Sequence, residues 1–274
     1  ALALPQPLAA MNGEDDTTPA TATDVRKRQE QLALALMGAV DAGDAAKVAE
    51  LLAAGADSSA TNQYSISMLH TAAGAGALDV LRLLITHNAS VNAQLDGRAR
   101  HREGETPSHF AAAQDRDEAL LALIAAGADV QLETVGGMTA LHVAAGLGHV
   151  RSMRVLVEEG GGDVHRPGSN RFGSLPIHLA ATAGKPDGVA LLLELGSTAH
   201  VANQRGSFPI HGAFIVGDVE AAKLLIAAGA NPGELNGDGA TPIEAAVGRK
   251  DDPIVAAALE QLAELSSGAL GLEL

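Results

Sequence analysis

Five histidines recur along the chain, and histidine is both a common metal ligand and a side chain that transfers protons near neutral pH. They are His70, His109, His142, His178 and His211, separated by 39, 33, 36 and 33 residues. If each histidine belongs to a separate stacked unit, neighbouring imidazoles lie about 10 Å apart, roughly one helix diameter, which is too far to share one metal ion. We therefore interpret these histidines as hydrogen-bonding residues at helix starts, and we predict no metal site.

No other group of residues in the sequence favours catalysis. The chain lacks cysteine, which excludes thiolate nucleophiles and disulfide bonds. It contains no Gly-x-Ser-x-Gly elbow and no His-Glu-x-x-His motif. The glycine-rich stretches at residues 74–76 and 160–162 are not followed by the Lys-Ser/Thr of a phosphate-binding loop. We predict that the chain is not an enzyme and binds no cofactor.

The charge balance restricts the kinds of partner. Thirty-three acidic and eighteen basic residues leave a formal net charge of −15, which opposes nucleic acid and anionic membrane surfaces at long range. No segment reaches the roughly 18 apolar residues of a membrane-spanning helix, so we predict neither nucleic-acid binding nor membrane insertion. The compartment stays open: cytoplasmic by default, but organellar or exported if the apolar residues 1–10 are a targeting remnant.

The histidines belong to longer repeated units. Each ends a similar tetrapeptide, and these read SMLH, TPSH, TALH, LPIH and FPIH. A sixth copy, TPIE at residues 241–244, follows 33 residues after the last, and counting back 33 residues from His70 reaches Met37. The spacing therefore predicts seven units.

Each unit has the pattern of two helices. Thr at the first tetrapeptide position can cap a helix, and Pro is tolerated at the position that follows. A small-residue pair and an amphipathic run come next, which predicts a second helix packed closely on the first. With no Trp, one Tyr and four Phe in the chain, the predicted core is thin and built from short side chains. Left-handed residues should end the second helices, namely Gly55, Asn88, Gly127, Gly160, Gly196 and Gly229.

The motif Thr-Pro-Leu-His-x-Ala-Ala, the 33-residue period and endings such as the Gly-Ala-Asp of residues 55–57 resemble the ankyrin repeat family. The resemblance covers roughly residues 34–266. It implies an all-α fold with short β-turn fingers: a curved solenoid of about seven helix-turn-helix repeats, two of them caps, with a concave binding face. We expect residues 1–30 to be a flexible or partner-bound extension, residues 31–266 the solenoid and residues 267–274 a tail.

Partner recognition should use positions that repeat packing leaves free, which are the fingers and the residues after the Ala pair. Several of these positions carry apolar side chains, and an exposed apolar stripe marks a binding surface. The alternative is that individual members fold inward against a neighbouring finger. The candidates are Tyr64, Ile66, Met138, Leu147, Phe172, Ile215 and Val216.

Two departures from the period enlarge loops, and loop insertions in repeat proteins often carry recognition. Six extra residues precede His109 and three precede His178. Both segments are basic, and arginine is enriched at binding hot spots. We predict that arginines of the fingers contact a protein partner with an acidic segment. The alternative is that these arginines are solvated at the loop tips. The candidates are Arg98, Arg100, Arg102, Arg166, Arg171 and Arg205.

Two functions fit these features. The first is a scaffold or adaptor for protein–protein interaction that uses the concave face and the fingers. The alternative is a structural subunit or assembly factor of a larger multiprotein complex, which would explain an apolar stripe that is always covered. We expect a monomer when the chain is alone, or a subunit of a hetero-complex.

Overall fold

The computed structural model describes residues 22–169 and 172–269, and helices joined by short turns account for nearly all of its regular structure. The only β pairing in this part of the chain is one antiparallel bridge between Thr61 and Ser67. In chain order the helices are α1 Ala22–Asp41, α2 Ala45–Ala53, α3 Met68–Ala75, α4 Leu78–Thr86, a 3-10 helix Gly97–Arg102, α5 Pro107–Ala113, α6 Asp117–Ala125, α7 Ala140–Leu147, α8 Val150–Glu158, α9 Pro176–Thr182, α10 Pro186–Glu194, α11 Pro209–Val216, α12 Val219–Ala227, α13 Pro242–Val247 and α14 Pro253–Ala269.

The helices form two layers. The odd-numbered first helices pack on one another in chain order, as do the even-numbered second helices. Each finger is the turn segment between a second helix and the next first helix, for example residues 128–139. We call the surface formed by first helices and fingers the finger face, and the surface formed by second helices the outer face. The predicted all-α solenoid of seven units is confirmed.

The tetrapeptides start the first helices, as predicted. The residue before each of α3, α5, α7, α9, α11 and α13 is extended and is the first residue of a tetrapeptide, and Pro opens four of these helices. The Ser67 and Thr241 hydroxyls accept backbone N–H groups of the first turn. Such a side chain satisfies a donor that the helix itself leaves unpaired.

The core is built from small and branched aliphatic side chains. The alanine pairs, such as Ala111–Ala112 and Ala144–Ala145, are fully buried, which allows close approach of neighbouring first helices, while leucines from the second helices fill the space between the layers. Phe214 is an exception, because it takes the place of the second alanine of a pair and is also fully buried.

The ends of the second helices agree with prediction at five of six positions. Gly55, Asn88, Gly127, Gly196 and Gly229 have positive φ. The prediction for Gly160 was wrong, since the left-handed residue is Gly161, with φ 67°. The N–H of Gly162 bonds to the carbonyl of Leu156, six residues back, whereas the equivalent N–H of Ala128 bonds to Leu123, five residues back. One of the three extra residues before His178 therefore extends this helix end, and two enlarge the finger.

The six extra residues before His109 form a compact structure. They form the 3-10 helix Gly97–Arg102. Its two ends are joined because the N–H of Leu95 bonds to the carbonyl of Glu105 at 3.0 Å, and the N–H of Gly104 bonds to the carbonyl of Leu95 at 2.8 Å.

The two end helices extend past the predicted limits of the solenoid. Helix α1 begins at Ala22, within the predicted extension, and α14 ends at Ala269. Residues 1–21 and 270–274 lie outside the described residues, so the boundaries at 30 and 266 stay predictions. Over the described ranges, no helix has the length and apolar character needed to cross a bilayer.

One buried polar group lowers the stability of the third unit. Ser108 stands where the other tetrapeptides have Leu or Ile; it is 1% exposed, and its hydroxyl has no hydrogen-bond partner among the described groups. We expect Ser108→Ala to raise the free energy of unfolding by about 1 kcal/mol, because it removes an unsatisfied buried hydroxyl. Urea denaturation measures the change.

The matched control is Ser152, which is equally buried but donates its hydroxyl to Asp115 at 2.9 Å. Ser152→Ala should lower the free energy of unfolding by about 1.5 kcal/mol, because a hydrogen bond to a carboxylate is lost. A destabilised Ser108→Ala protein would contradict the assignment.

Candidate protein-binding face

The tetrapeptide histidines are buried and tie each first helix to the following finger. In the fourth unit, Nδ1 of His142 accepts the N–H of Thr139 at 3.3 Å, and Nε2 lies 3.1 Å from the carbonyl oxygen of Ser174 in the next finger. The other four histidines make the same contact between units, with Nε2 at 3.2, 2.9, 3.0 and 3.2 Å from the carbonyl oxygens of Glu105, Met138, Ser207 and Ala240. These contacts position the fingers.

This geometry requires neutral imidazoles. Because Nδ1 accepts a hydrogen bond, the single ring proton lies on Nε2, which donates to the carbonyl. Burial lowers the pKa of His70, His142 and His178 to about 4. Burial also lowers the pKa of His109 and His211. Both ring nitrogens are thus occupied by the fold, and within the described residues no three His, Asp or Glu side chains are grouped so as to hold a metal ion.

An apolar depression lies on the finger face between the fourth and fifth units. It has a volume of about 360 Å³. Leu147 on its border is 45% exposed. The depression brings together two predicted binding residues, Met138 and Leu147. Its lining comprises Met138, His142, Val143, Gly146, Leu147, Leu179, Thr182 and Ala183.

Other predicted apolar residues lie in other units of the solenoid, outside the lining of this depression. Ile215 and Val216, both half-buried, occupy in the sixth unit the positions that Thr182 and Ala183 occupy in the fifth. Tyr64 is 48% exposed and belongs to the first finger, two units away from Met138. The structure therefore spreads the predicted apolar set along the finger face instead of gathering it at one point.

The basic segment before His109 has most of its charge compensated locally. Arg98 forms an ion pair with Asp96 at 3.2 Å, and Arg102 pairs with Glu105 at 2.7 Å. The guanidinium of Arg102 also lies 3.9 Å from the centre of the Phe110 ring, a cation–π geometry. Arg100 lies in the 3-10 helix between these two arginines.

The second basic finger, before α9, and the next finger, before α11, differ in how their arginines are paired. Arg166 pairs with Glu133 at 2.7 Å, and Arg171 lies outside the described residues. The guanidinium of Arg205 lies 4.7 Å from the centre of the half-buried Phe172 ring. Arg205 is exposed and, in the part of the chain that the structure describes, has no carboxylate partner. We call this pair the Arg205–Phe172 platform.

Three side chains of the finger face were not predicted from the sequence. They are Phe110, Val143 and Leu179, which directly follow the tetrapeptide histidines of the third, fourth and fifth units. Val143 and Leu179 line the depression, and Phe110 stacks under Arg102. Their place in the repeat could have identified them, because the residue after the histidine recurs on the same side of every first helix.

The family model for ankyrin repeats (three copies) matches residues 36–134 and 131–202, more than half of the chain. The chain belongs to the ankyrin repeat family. Ankyrin repeats generally mediate protein–protein interaction, and the fold is typically non-catalytic.

Similar proteins share the repeats and differ elsewhere. The chain is 34% identical over 157 residues to the nuclear factor NF-kappa-B p105 subunit of Gallus gallus, covering 57% of this chain and 16% of that protein. It is 32% identical over 138 residues to Inversin of Gallus gallus, covering 50% and 12%. It is 32% identical over 142 residues to the putative E3 ubiquitin-protein ligase XBAT31 of Arabidopsis thaliana, covering 48% and 30%. The chain thus spans less than a third of each of these relatives.

The structural comparison covers more of the chain. The human ASB11 ankyrin repeat domain superposes with a TM-score of 0.71 at 26% identity, covering 83% of this chain and 96% of that chain.

The buried histidines predict a loss of stability in mild acid. Because burial holds their pKa below the usual 6.5 and near 4 for three of them, the unfolded chain binds more protons than the folded chain in this window. Stability that is complete above about pH 6.5 is therefore lost as the pH falls towards 4, by up to about 1.4 kcal/mol per pH unit for each histidine. Urea denaturation across this range measures the slope.

The His142→Gln variant should reduce this slope by about one proton, since glutamine can accept and donate without titrating. His165→Gln is the control, because His165 lies exposed on a finger. A free energy of unfolding that does not change between pH 6.5 and 4 would contradict the role of the histidines.

Proposed function

We propose that the chain is a scaffold or adaptor that binds a partner protein through the finger face and catalyses no reaction. The observation that carries this proposal is the apolar depression around Met138, Leu147 and Leu179, which a stable fold leaves open on the surface formed by its first helices. An open apolar site of this kind is a docking site for an apolar side chain of a partner.

The Arg205–Phe172 platform supports a partner with an acidic segment. Stacking on an aromatic ring holds the guanidinium in place while its N–H groups remain available to a carboxylate. Arg98, Arg102 and Arg166 already pair within the chain, so among the described arginines of the fingers Arg205 is the best placed to meet an external carboxylate. The net charge of −15 lends no support to a nucleic-acid partner.

The residue chemistry also supports a binding role over catalysis. Each tetrapeptide histidine uses both ring nitrogens to hold the fold and is kept neutral by burial. XBAT31 carries a ligase name, but the match to this chain covers only 30% of that protein, so the name gives no support to catalysis by this chain.

The second candidate function is a structural subunit or assembly factor of a larger complex. Large apolar side chains are also exposed at the two ends of the solenoid, since Leu34 in α1 and Ile254 in α14 are each 68% exposed. Neighbours in an assembly would cover these residues permanently. An adaptor would instead leave them in solvent.

The test is affinity capture from native extract with quantitative mass spectrometry, comparing variants of the full chain. Leu147→Asp should reduce recovery of the partner at least tenfold, because burial of a leucine contributes about 1.5–3 kcal/mol. Leu34→Asp is the matched control and should retain the partner. Equal losses in both variants would instead support the subunit hypothesis.

The acidic-segment hypothesis has its own variant. Arg205→Glu should weaken binding of the captured partner and reduce the dependence of its dissociation constant on salt, because an attractive ion pair is replaced by repulsion. Lys223→Glu on α12 makes the same change of charge on the outer face and should leave binding unchanged. Identical salt dependence in the wild type and Arg205→Glu would exclude the acidic contact.

A further inference from the structure

The outer face carries a trough between α4 and α6, on the side away from the fingers. Its volume is about 770 Å³. Leu121, one of its lining residues, is 41% exposed. Two small residues line the end of the trough, Ala125 at the end of α6 and Ala126 just after it, so that another helix could approach closely. The lining residues are Arg82, Ile85, Thr86, Glu118, Leu121, Ala122, Ala125 and Ala126.

The repeat makes Leu121 unusual. The equivalent position is Arg82 in α4, Arg154 in α8, Ala190 in α10 and Lys223 in α12. Three of these four residues are charged, as expected for an outer face in water. Only α6, among these five helices, places a large apolar side chain there.

The charges at the trough differ from those at the next two junctions of the outer face. At the next two junctions of the outer face, ion pairs join neighbouring helices: Arg151 of α8 lies 3.3 Å from Asp117, and Arg154 lies 3.1 Å from Glu194 of α10. Arg82 and Glu118 both line the trough between α4 and α6, yet over the described residues neither has an ion-pair partner. The trough thus offers one cation, one anion and several apolar side chains.

We propose that this trough is the contact surface of a symmetric homodimer, with a second copy of the chain as its occupant. Two-fold symmetry brings residue i of one copy to residue j of the other, and j to i. Arg82 of each copy then meets Glu118 of the other, and the two Leu121 side chains meet near the axis. The surface is complementary to itself in both charge and polarity.

The homodimer is weak. Eight residues of each copy line the trough, fewer than the roughly 20 to 30 per side of a standard stable interface. The net charge of −15 on each copy adds repulsion, which physiological salt screens beyond about 8 Å. We expect weak association, so that the chain is a monomer when dilute and dimerises when concentrated.

The dimer would change what the finger face can do. With two outer faces in contact, the finger faces of both copies point away from each other and stay open. Such a dimer holds two partner sites at once and gains apparent affinity for a partner that presents two copies of its motif. This interface does not depend on the proposed function, because the two surfaces use different helices.

Sedimentation equilibrium of the full chain over a range of concentrations tests the dimer. The wild type should show a monomer–dimer equilibrium, and Leu121→Asp should remain monomeric at the highest concentration. Arg82→Glu and Glu118→Arg, each alone, should also remain monomeric, because each places like charges opposite one another in the dimer. Circular dichroism confirms that each variant is folded, as expected for exposed positions.

The decisive sample is an equimolar mixture of the two charge variants. In a mixed dimer, the two glutamates of the Arg82→Glu chain face the two arginines of the Glu118→Arg chain, so both ion pairs are restored. A dimer should form in the mixture, although neither variant dimerises alone. This result is specific to a two-fold contact between these two positions.

The matched controls lie at the equivalent positions of α12. Lys223→Glu and Glu220→Arg make similar charge changes and should dimerise like the wild type. A wild type that is monomeric at all concentrations would overturn the proposal. So would a dimer that tolerates both charge variants, or a mixture of the two variants that stays monomeric.

Discussion

Five of the seven units of this solenoid depend on one interaction, the hydrogen bond from a buried imidazole to the backbone carbonyl of the next finger. A single helix pair cannot bury its apolar surface alone, so stability comes from contacts between neighbours. The histidine supplies a polar contact of this kind in the core: one ring nitrogen closes its own helix start and the other holds the adjacent unit. This double role requires a neutral ring, and burial keeps it neutral by lowering its pKa.

The first and last described units lack the histidine, and they show which part of its role remains. In the last unit Glu244 replaces the histidine, and its Oε2 accepts the N–H of Thr241 at 2.8 Å. It performs the capping half of the histidine's role. In the first unit Met37 lies within the continuous helix α1, where no helix start requires a cap.

The distribution of charge decides which surfaces can bind. The formal net charge of −15 suggests a uniformly acidic surface, but the arginines of the fingers have separate local environments. Arg98, Arg102 and Arg166 are paired with neighbouring carboxylates, whereas Arg205 rests on Phe172 without a carboxylate partner among the described residues. On the outer face, unpaired Arg82 and Glu118 border the same trough. The proposed acidic contact and the proposed homodimer both rest on unpaired charges next to apolar side chains.

The sequence by itself determined the fold, because each tetrapeptide, alanine pair and helix-ending glycine acts locally and recurs with a period. Helix starts at Thr106 and Thr139 could be predicted from a few neighbouring residues. The misplaced helix end at Gly160 shows the limit, since only the hydrogen bond from Gly162 to Leu156 shows where the extra residue lies. The binding surfaces depended on tertiary structure: Leu147 with Leu179, Arg205 with Phe172, and Arg82 with Glu118 come from different units. Whether such residues meet, and whether a charge is already paired, depends on packing between repeats, which the pattern within one repeat does not encode.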